Sequence, residues 1–112
     1  MTALLVALGA AVGAPLRYAL AHLLDERWPT GTLLANTLGS GLLGLFAALA
    51  LDDRGWALLG TGFCGAFTTF SSFAVQAVDR PRRAATAYVV ATTVLAVGGC
   101  ALGWALGTSL AG

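Results

Sequence analysis

The chemistry in this 112-residue chain gathers in one stretch, Gly62-Phe63-Cys64-Gly65-Ala66-Phe67-Thr68-Thr69-Phe70-Ser71-Ser72-Phe73. Two glycines followed by a threonine pair make a poor continuous helix, and a break is expected near Gly65 to Thr68. A break inside an apolar segment frees backbone carbonyls. At membrane depth such carbonyls persist only where they are buried or ligate something, often a cation. Beyond the break Phe70 and Phe73 share one helix face, while Thr69, Ser72 and Gln76 share the adjacent one. Aromatic pairs at helical spacing are usually packing. The hydroxyls and amide beside them admit a second reading. A phenyl ring has an electropositive edge that can face a small anion without trapping it.

Three further groups carry polarity into apolar segments. Thr32, Asn36 and Ser40 recur at i, i+4 and i+8, hence on one helix face. Asn36 is demanding to bury, because its amide has two donors and an acceptor; the stripe either joins helices by hydrogen bonds or lines a wet path. Tyr88 and Thr92 share a face further on, with Thr86 and Thr93 on another, as a hydroxyl track or as bonds back to helix carbonyls. Arg17 lies inside the first apolar run, either snorkelling to the interface or standing as a cation at a vestibule that draws anions. All five acids, Asp25, Glu26, Asp52, Asp53 and Asp79, fall between apolar runs. A proton-coupled antiporter needs a titratable group on its pathway, and none is placed there.

The elements that must hold these residues are membrane spans. Of the chain 58% is hydrophobic and 10% charged, less than half the roughly 25% charge of soluble domains. Charge clusters divide it into four expected spans, about 3–24, 32–51, 56–78 and 84–110. The expected fold is all-α, one transmembrane domain with short connections and antiparallel neighbouring helices. Trp28, Trp56 and Trp104 stand near span ends, where amphipathic rings prefer the interface. Small-residue faces at Gly9/Gly13, Ser40/Gly44 and Gly99/Gly103/Gly107 allow close helix contacts, within one bundle or between protomers. Four spans leave little interior for a polar path, and closed dimers are the commonest oligomers, so a homodimer is expected. Arg27, Arg80, Arg82 and Arg83 lie on one side of the membrane, against Arg54 on the other. Read literally, that bias places the first and third connections in the cytoplasm.

A net charge of +1 gives no sign of nucleic-acid binding. Cys64 and Cys100 lack metal-ligand spacing and read as small packed residues. His22, near the end of the first span, reads as interfacial. No nucleophile–base pair, His cluster or carboxylate dyad supports catalysis, and no glycine-lysine phosphate loop is present. The first arginine is Arg17, so no basic segment precedes the first apolar run and a cleaved signal peptide is not expected.

The chain resembles the small fluoride channels called Fluc or CrcB over essentially its whole length. The resemblance is carried by Gly13-Ala14-Pro15-Leu16-Arg17-Tyr18, Gly31-Thr32-Leu33-Leu34-Ala35-Asn36-Thr37-Leu38-Gly39-Ser40 and the Gly62–Phe73 stretch. It implies an antiparallel, dual-topology homodimer in the cell (inner or plasma) membrane, with two parallel anion pores. It also implies a structural sodium ion at the dimer centre, held by backbone carbonyls of the broken third helices, here Gly65 and Thr68. Phe70 and Phe73 would face the pore, Asn36 and Arg17 match the second-helix asparagine and the vestibule arginine, and Tyr88 and Thr92 match the fourth-helix tyrosine and its hydroxyl neighbour. Thr69, Ser71 and Ser72 fall in the hydroxyl-rich stretch that lines or supports the pore. Two positions depart from the pattern: Pro15 precedes Arg17, and Ala96 stands where a further hydroxyl would extend the track. The implied activity is passive export of cytoplasmic fluoride, protecting the cell from its toxicity. The alternative of similar size, a proton-coupled exporter of the small multidrug-resistance type, should carry a glutamate inside the first span. That span is acid-free until Asp25.

Overall fold

The computed structural model describes residues 1–111. Helix α1 (Thr2–Leu24) and α2 (Thr30–Ala48) are joined by a tight connection, and α3 (Asp53–Gly55) runs into a π-helix (Trp56–Cys64) and then α4 (Gly65–Phe67). After an interruption come α5 (Ser71–Val78) and α6 (Arg82–Ala111). Four stretches are long and apolar enough to cross a membrane: Thr2–Leu24, Thr30–Ala48, Asp53–Val78 and Arg82–Ala111. The longest dimension is 44 Å, close to a bilayer with its headgroups at about 40–45 Å. The chain is an all-α, multi-pass membrane protein.

Span ends differ from the sequence reading where apolar letters serve as turns. Helix α2 stops at Ala48 rather than Leu51, because Ala50 adopts the left-handed conformation (φ 53°) and reverses the chain. Asp52 then caps α3, its Oδ1 accepting from the Gly55 N–H at 2.8 Å, so the third span opens at Asp53 instead of Trp56. Pro81 precedes α6 and its carbonyl accepts from the Ala85 N–H at 2.8 Å; proline's fixed φ and missing N–H suit a helix start.

The small-residue faces are used within the chain. Gly99, Gly103 and Gly107 of α6 lie on α2 at Thr37, Gly41 and Leu45, and Gly44 of α2 lies on Cys100. A Cβ on Gly103 would run into the Gly41 carbonyl. Gly9 and Gly13 seat α1 on the backbone of the π-helix at Leu58 and Phe63. Between helices in lipid, such close backbone approach supplies the packing energy that the hydrophobic effect supplies in water. The π-helix is a departure from the continuous α-helical turns expected before the break. Such turns are rare and cluster at functional sites, and this one leads directly into the interruption.

Candidate functional site

Helix α4 ends where Thr68 becomes extended (φ −88°, ψ 160°). In a continuous α-helix the Thr69 N–H would bond the Gly65 carbonyl and the Ser72 N–H the Thr68 carbonyl. Here the Thr69 N–H donates to Asn36 Oδ1 at 2.7 Å, and the Ser72 N–H donates to Thr69 Oγ1 at 3.2 Å. The Gly65 and Thr68 carbonyls thereby lose their helical donors. Asn36 Nδ2 donates back to the Thr69 carbonyl at 3.0 Å, so one buried amide clasps one residue's backbone with both arms. Each side satisfies the other's need for partners. Gly65 itself remains helical, its N–H directed at the Gly60 and Gly62 carbonyls. The chain leaves the helix at Thr68, where the Asn36 clasp begins.

A cavity of about 480 Å³ opens beside the interruption. Asn36 and Ser40 of α2, Gly65, Thr68 and Thr69 at the interruption, Phe70 and Phe73, and Thr92 and Ala96 of α6 all line it. The hydrogen bonds show which protons remain free on this wall. The Thr68 hydroxyl is engaged, donating to the Cys64 carbonyl at 2.8 Å. Asn36 Nδ2 keeps a second N–H beyond its bond to Thr69. Thr92 Oγ1 is buried next to Tyr88 and makes no hydrogen bond of good geometry among the described residues, and Thr69 Oγ1 lies 3.4 Å from Ser71 Oγ. No carboxylate lines the cavity among the described residues.

Aromatic rings flank the same wall. Phe70 and Phe73 are 5.9 Å apart between centroids and tilted by 57°; Phe73 meets Tyr88 at 5.2 Å and 52°. In a tilted pair the edge of one ring is directed toward the face of the other. Phe70 is 78% exposed while Tyr88 is 1% exposed. Tyr88 also touches Trp28 edge-on at 6.3 Å, and the Arg80 guanidinium lies over both rings, 5.3 Å from Trp28 and 5.8 Å from Tyr88. Arg80 further donates to the Arg27 carbonyl at 2.7 Å.

The expected site residues therefore separate. Asn36, Gly65, Thr68, Thr69, Phe70, Phe73 and Thr92 converge on one cavity. Ser71 and Ser72 lie on an adjacent groove of about 300 Å³ with Val75 and Gln76. Tyr88 stands behind Phe73, its hydroxyl donating to Gln76 Oε1 at 2.9 Å. Arg17 lines neither space, and its Nε is buried with no partner. Sequence reasoning passed over Asp25, whose carboxylate accepts from the Thr32 N–H at 3.0 Å and the Thr32 hydroxyl at 2.8 Å. One signal could have found it. Helix α2 begins after Pro29, which has no capping side chain, so the first N–H groups need an acceptor from outside the helix.

Fold and site define a class: small four-span helical membrane proteins with an interrupted helix beside a phenylalanine-flanked, carboxylate-free cavity. The model of the CrcB-like protein family, Camphor Resistance (CrcB), matches residues 4–108. A relative from Rhodococcus jostii (strain RHA1), "Fluoride-specific ion channel FluC 2", is 45% identical over 112 residues, covering 95% of this chain and 98% of that protein. "Fluoride-specific ion channel FluC 1" of Halobacterium salinarum is 44% identical over 110 residues, 97% of this chain and 86% of its own. "Fluoride-specific ion channel FluC 2" of Parasynechococcus marenigrum is 44% identical over 113 residues, 96% of this chain and 81% of its own. The chain belongs to the CrcB family.

Proposed function

We infer that this protein is a fluoride-selective passive channel that exports cytoplasmic fluoride down its electrochemical gradient. The observation that carries the reading is the cavity wall: an unused Asn36 N–H and the Thr92 hydroxyl, the rings of Phe70 and Phe73, and no carboxylate among the described lining residues. Fluoride is small and strongly hydrated, so it needs hydrogen-bond donors in place of water. Ring edges add weak attraction that releases the ion again. Hydrogen fluoride crosses lipid as a neutral weak acid and dissociates in a near-neutral cytoplasm, where the anion is trapped because charge in hydrocarbon is expensive. A selective pore lets membrane potential expel it. The protein is a channel and not an enzyme.

Within that reading Asn36, Thr69 and Thr92 donate to the anion, and Phe70 and Phe73 bound its path. Ser71 and Ser72 continue the polar lining past Thr69, Tyr88 supports Phe73, and Arg17 draws anions toward a vestibule. The Gly65 and Thr68 carbonyls, without their helical donors, fit a sodium ion, since unwound backbone carbonyls are its usual ligands in membranes. Bound there, sodium supplies a positive charge beside the anion path. Gly65 and Phe70 both lie on the exposed surface of a single chain, and released carbonyls are not tolerated against lipid. A second copy must cover them, and an antiparallel homodimer sets the same interruption opposite itself. Each dimer then carries two pores, inserted in both orientations in the cell membrane.

A proton-coupled exporter of the small multidrug-resistance type is disfavoured by the absence of a carboxylate from the wall. The two readings differ in driving force. In proteoliposomes with equal pH on both sides, fluoride should leave at a rate set by the imposed voltage. Flux that ignores voltage and follows a proton gradient would overturn the channel reading.

A further inference from the structure

Asp25 sits in the α1–α2 connection, off the cavity, yet it begins a chain of hydrogen bonds that ends at the aromatic cluster. Besides its two bonds from Thr32, the carboxylate accepts at Oδ2 from Gln76 Nε2 at 3.2 Å, and the same Nε2 lies 3.3 Å from Thr32 Oγ1. On its other side, Gln76 Oε1 accepts from the Tyr88 hydroxyl.

The direction of this chain is forced by the chemistry of its members. An ionised carboxylate only accepts, and Thr32 has already given its single hydroxyl proton to Asp25. Both oxygens facing Gln76 on that side are therefore acceptors. The amide must turn its NH₂ toward them and its carbonyl toward Tyr88, and Tyr88 must donate. Each partner is half-buried or buried, where a mismatched donor or acceptor is costly. The Asp25 charge is meanwhile satisfied by the first turn of α2, whose N-terminal dipole favours an anion.

We propose that Asp25 is a positioning residue of the anion pathway: it fixes the Gln76 amide, which holds the Tyr88 hydroxyl proton off the pathway and the Tyr88 ring against Phe73. This role rests on the channel reading above. Because Tyr88 gives its proton to Gln76, the anion on the cavity side meets Phe73 braced by a fixed ring, with the Thr92 hydroxyl of α6 next to the Tyr88 oxygen.

A complementary pair of substitutions tests the relay. Asp25→Asn leaves an acceptor for the Thr32 N–H but sets an NH₂ against the Gln76 NH₂; the Gln76 amide must flip and the Tyr88 proton is released. Gln76→Glu sets a second carboxylate against Asp25. Combining the two puts donors opposite acceptors on both sides again. Unitary fluoride current in planar bilayers counts only assembled channels, so it separates pathway effects from folding yield. Each single variant should lose about tenfold in unitary current, and the double should recover most of it, as coupled neighbours do. Losses that multiply in the double variant would overturn the proposal.

The second readout is the nuclear Overhauser contact of the Gln76 side-chain NH₂. It should lie with Thr32 in the wild-type protein and with the Tyr88 ring in Asp25→Asn. An unchanged contact would overturn the relay. If Asp25→Asn yields no folded protein, recovery of Gln76→Glu by adding it carries the same test, and no recovery sinks the proposal. Absent fluoride current in wild-type protein would sink the channel reading and this role with it; normal wild-type current with multiplying losses sinks the role alone.

Discussion

At the scale of single residues, function follows from which polar atoms are already engaged. The Thr92 hydroxyl makes no hydrogen bond of good geometry among the described residues and lies next to the Tyr88 hydroxyl, so Thr92→Val removes little internal bonding. Its thermal stability should stay within about 1 kcal/mol of wild type, while fluoride flux falls. Flux at the wild-type rate would take Thr92 off the pathway. Asn36 is the opposite case, with both arms holding Thr69. Asn36→Asp sets a carboxylate oxygen against the Thr69 carbonyl and should destabilise the fold by about 2–3 kcal/mol, with loss of anion flux; a melt and a flux assay on the same preparation check both. Asn36 stood out because an amide is unusual at that depth; Phe70 and Phe73 share a face by spacing, but only the resemblance to the fluoride channels set them apart from packing residues. Asn36 was legible only as a residue needing partners; that it clasps Thr69 depends on how α2 and the third span pack. Asp25 was not legible, because Gln76, one of its partners, is remote in sequence and meets it only once α1, α2 and α5 are in place.

At the scale of elements, the small-residue seams decide which helices touch. The α2–α6 seam brings Thr92 toward Asn36, and it closes only because Gly103 lets α6 reach the Gly41 carbonyl. Gly103→Ala should cost about 1–3 kcal/mol through overpacking. Gly98 on the same helix has nothing near its missing Cβ, so Gly98→Ala should be neutral or more stable by about 0.5–1 kcal/mol. Equal melting temperatures for the two variants would show that the seam does not hold the site. The four spans were readable from charge punctuation and apolar run length. Their ends were less so: Leu49–Leu51 is as apolar as a helix, yet Ala50 turns it into a reversal. The π-helix was invisible for a similar reason, since Gly60 and Gly62 weaken an α-helix without specifying the wider turn that replaces it.

At the scale of the whole molecule, a single chain leaves Gly65 and Phe70 on its surface, and the account requires a second copy and a cation there. Exchanging sodium for N-methylglucamine should lower dimer stability by mass action, read as a rise in monomer on dilution in detergent. A dimer that resists prolonged exchange as well as it does in sodium would contradict the carbonyl site. The arginine excess at Arg27, Arg80, Arg82 and Arg83 favours one orientation by the positive-inside rule, but Arg80 is drawn onto Trp28 and Tyr88. Part of that bias is therefore structural. The measurement that bears most directly on the account is fluoride efflux from proteoliposomes, with potassium and valinomycin setting the voltage and chloride-loaded vesicles run in parallel. The account predicts rapid, voltage-driven fluoride release, no chloride release, and strong impairment by Phe70→Ile or Phe73→Ile in protein that still assembles. Equal release of both anions, or undiminished release from both variants, would contradict it.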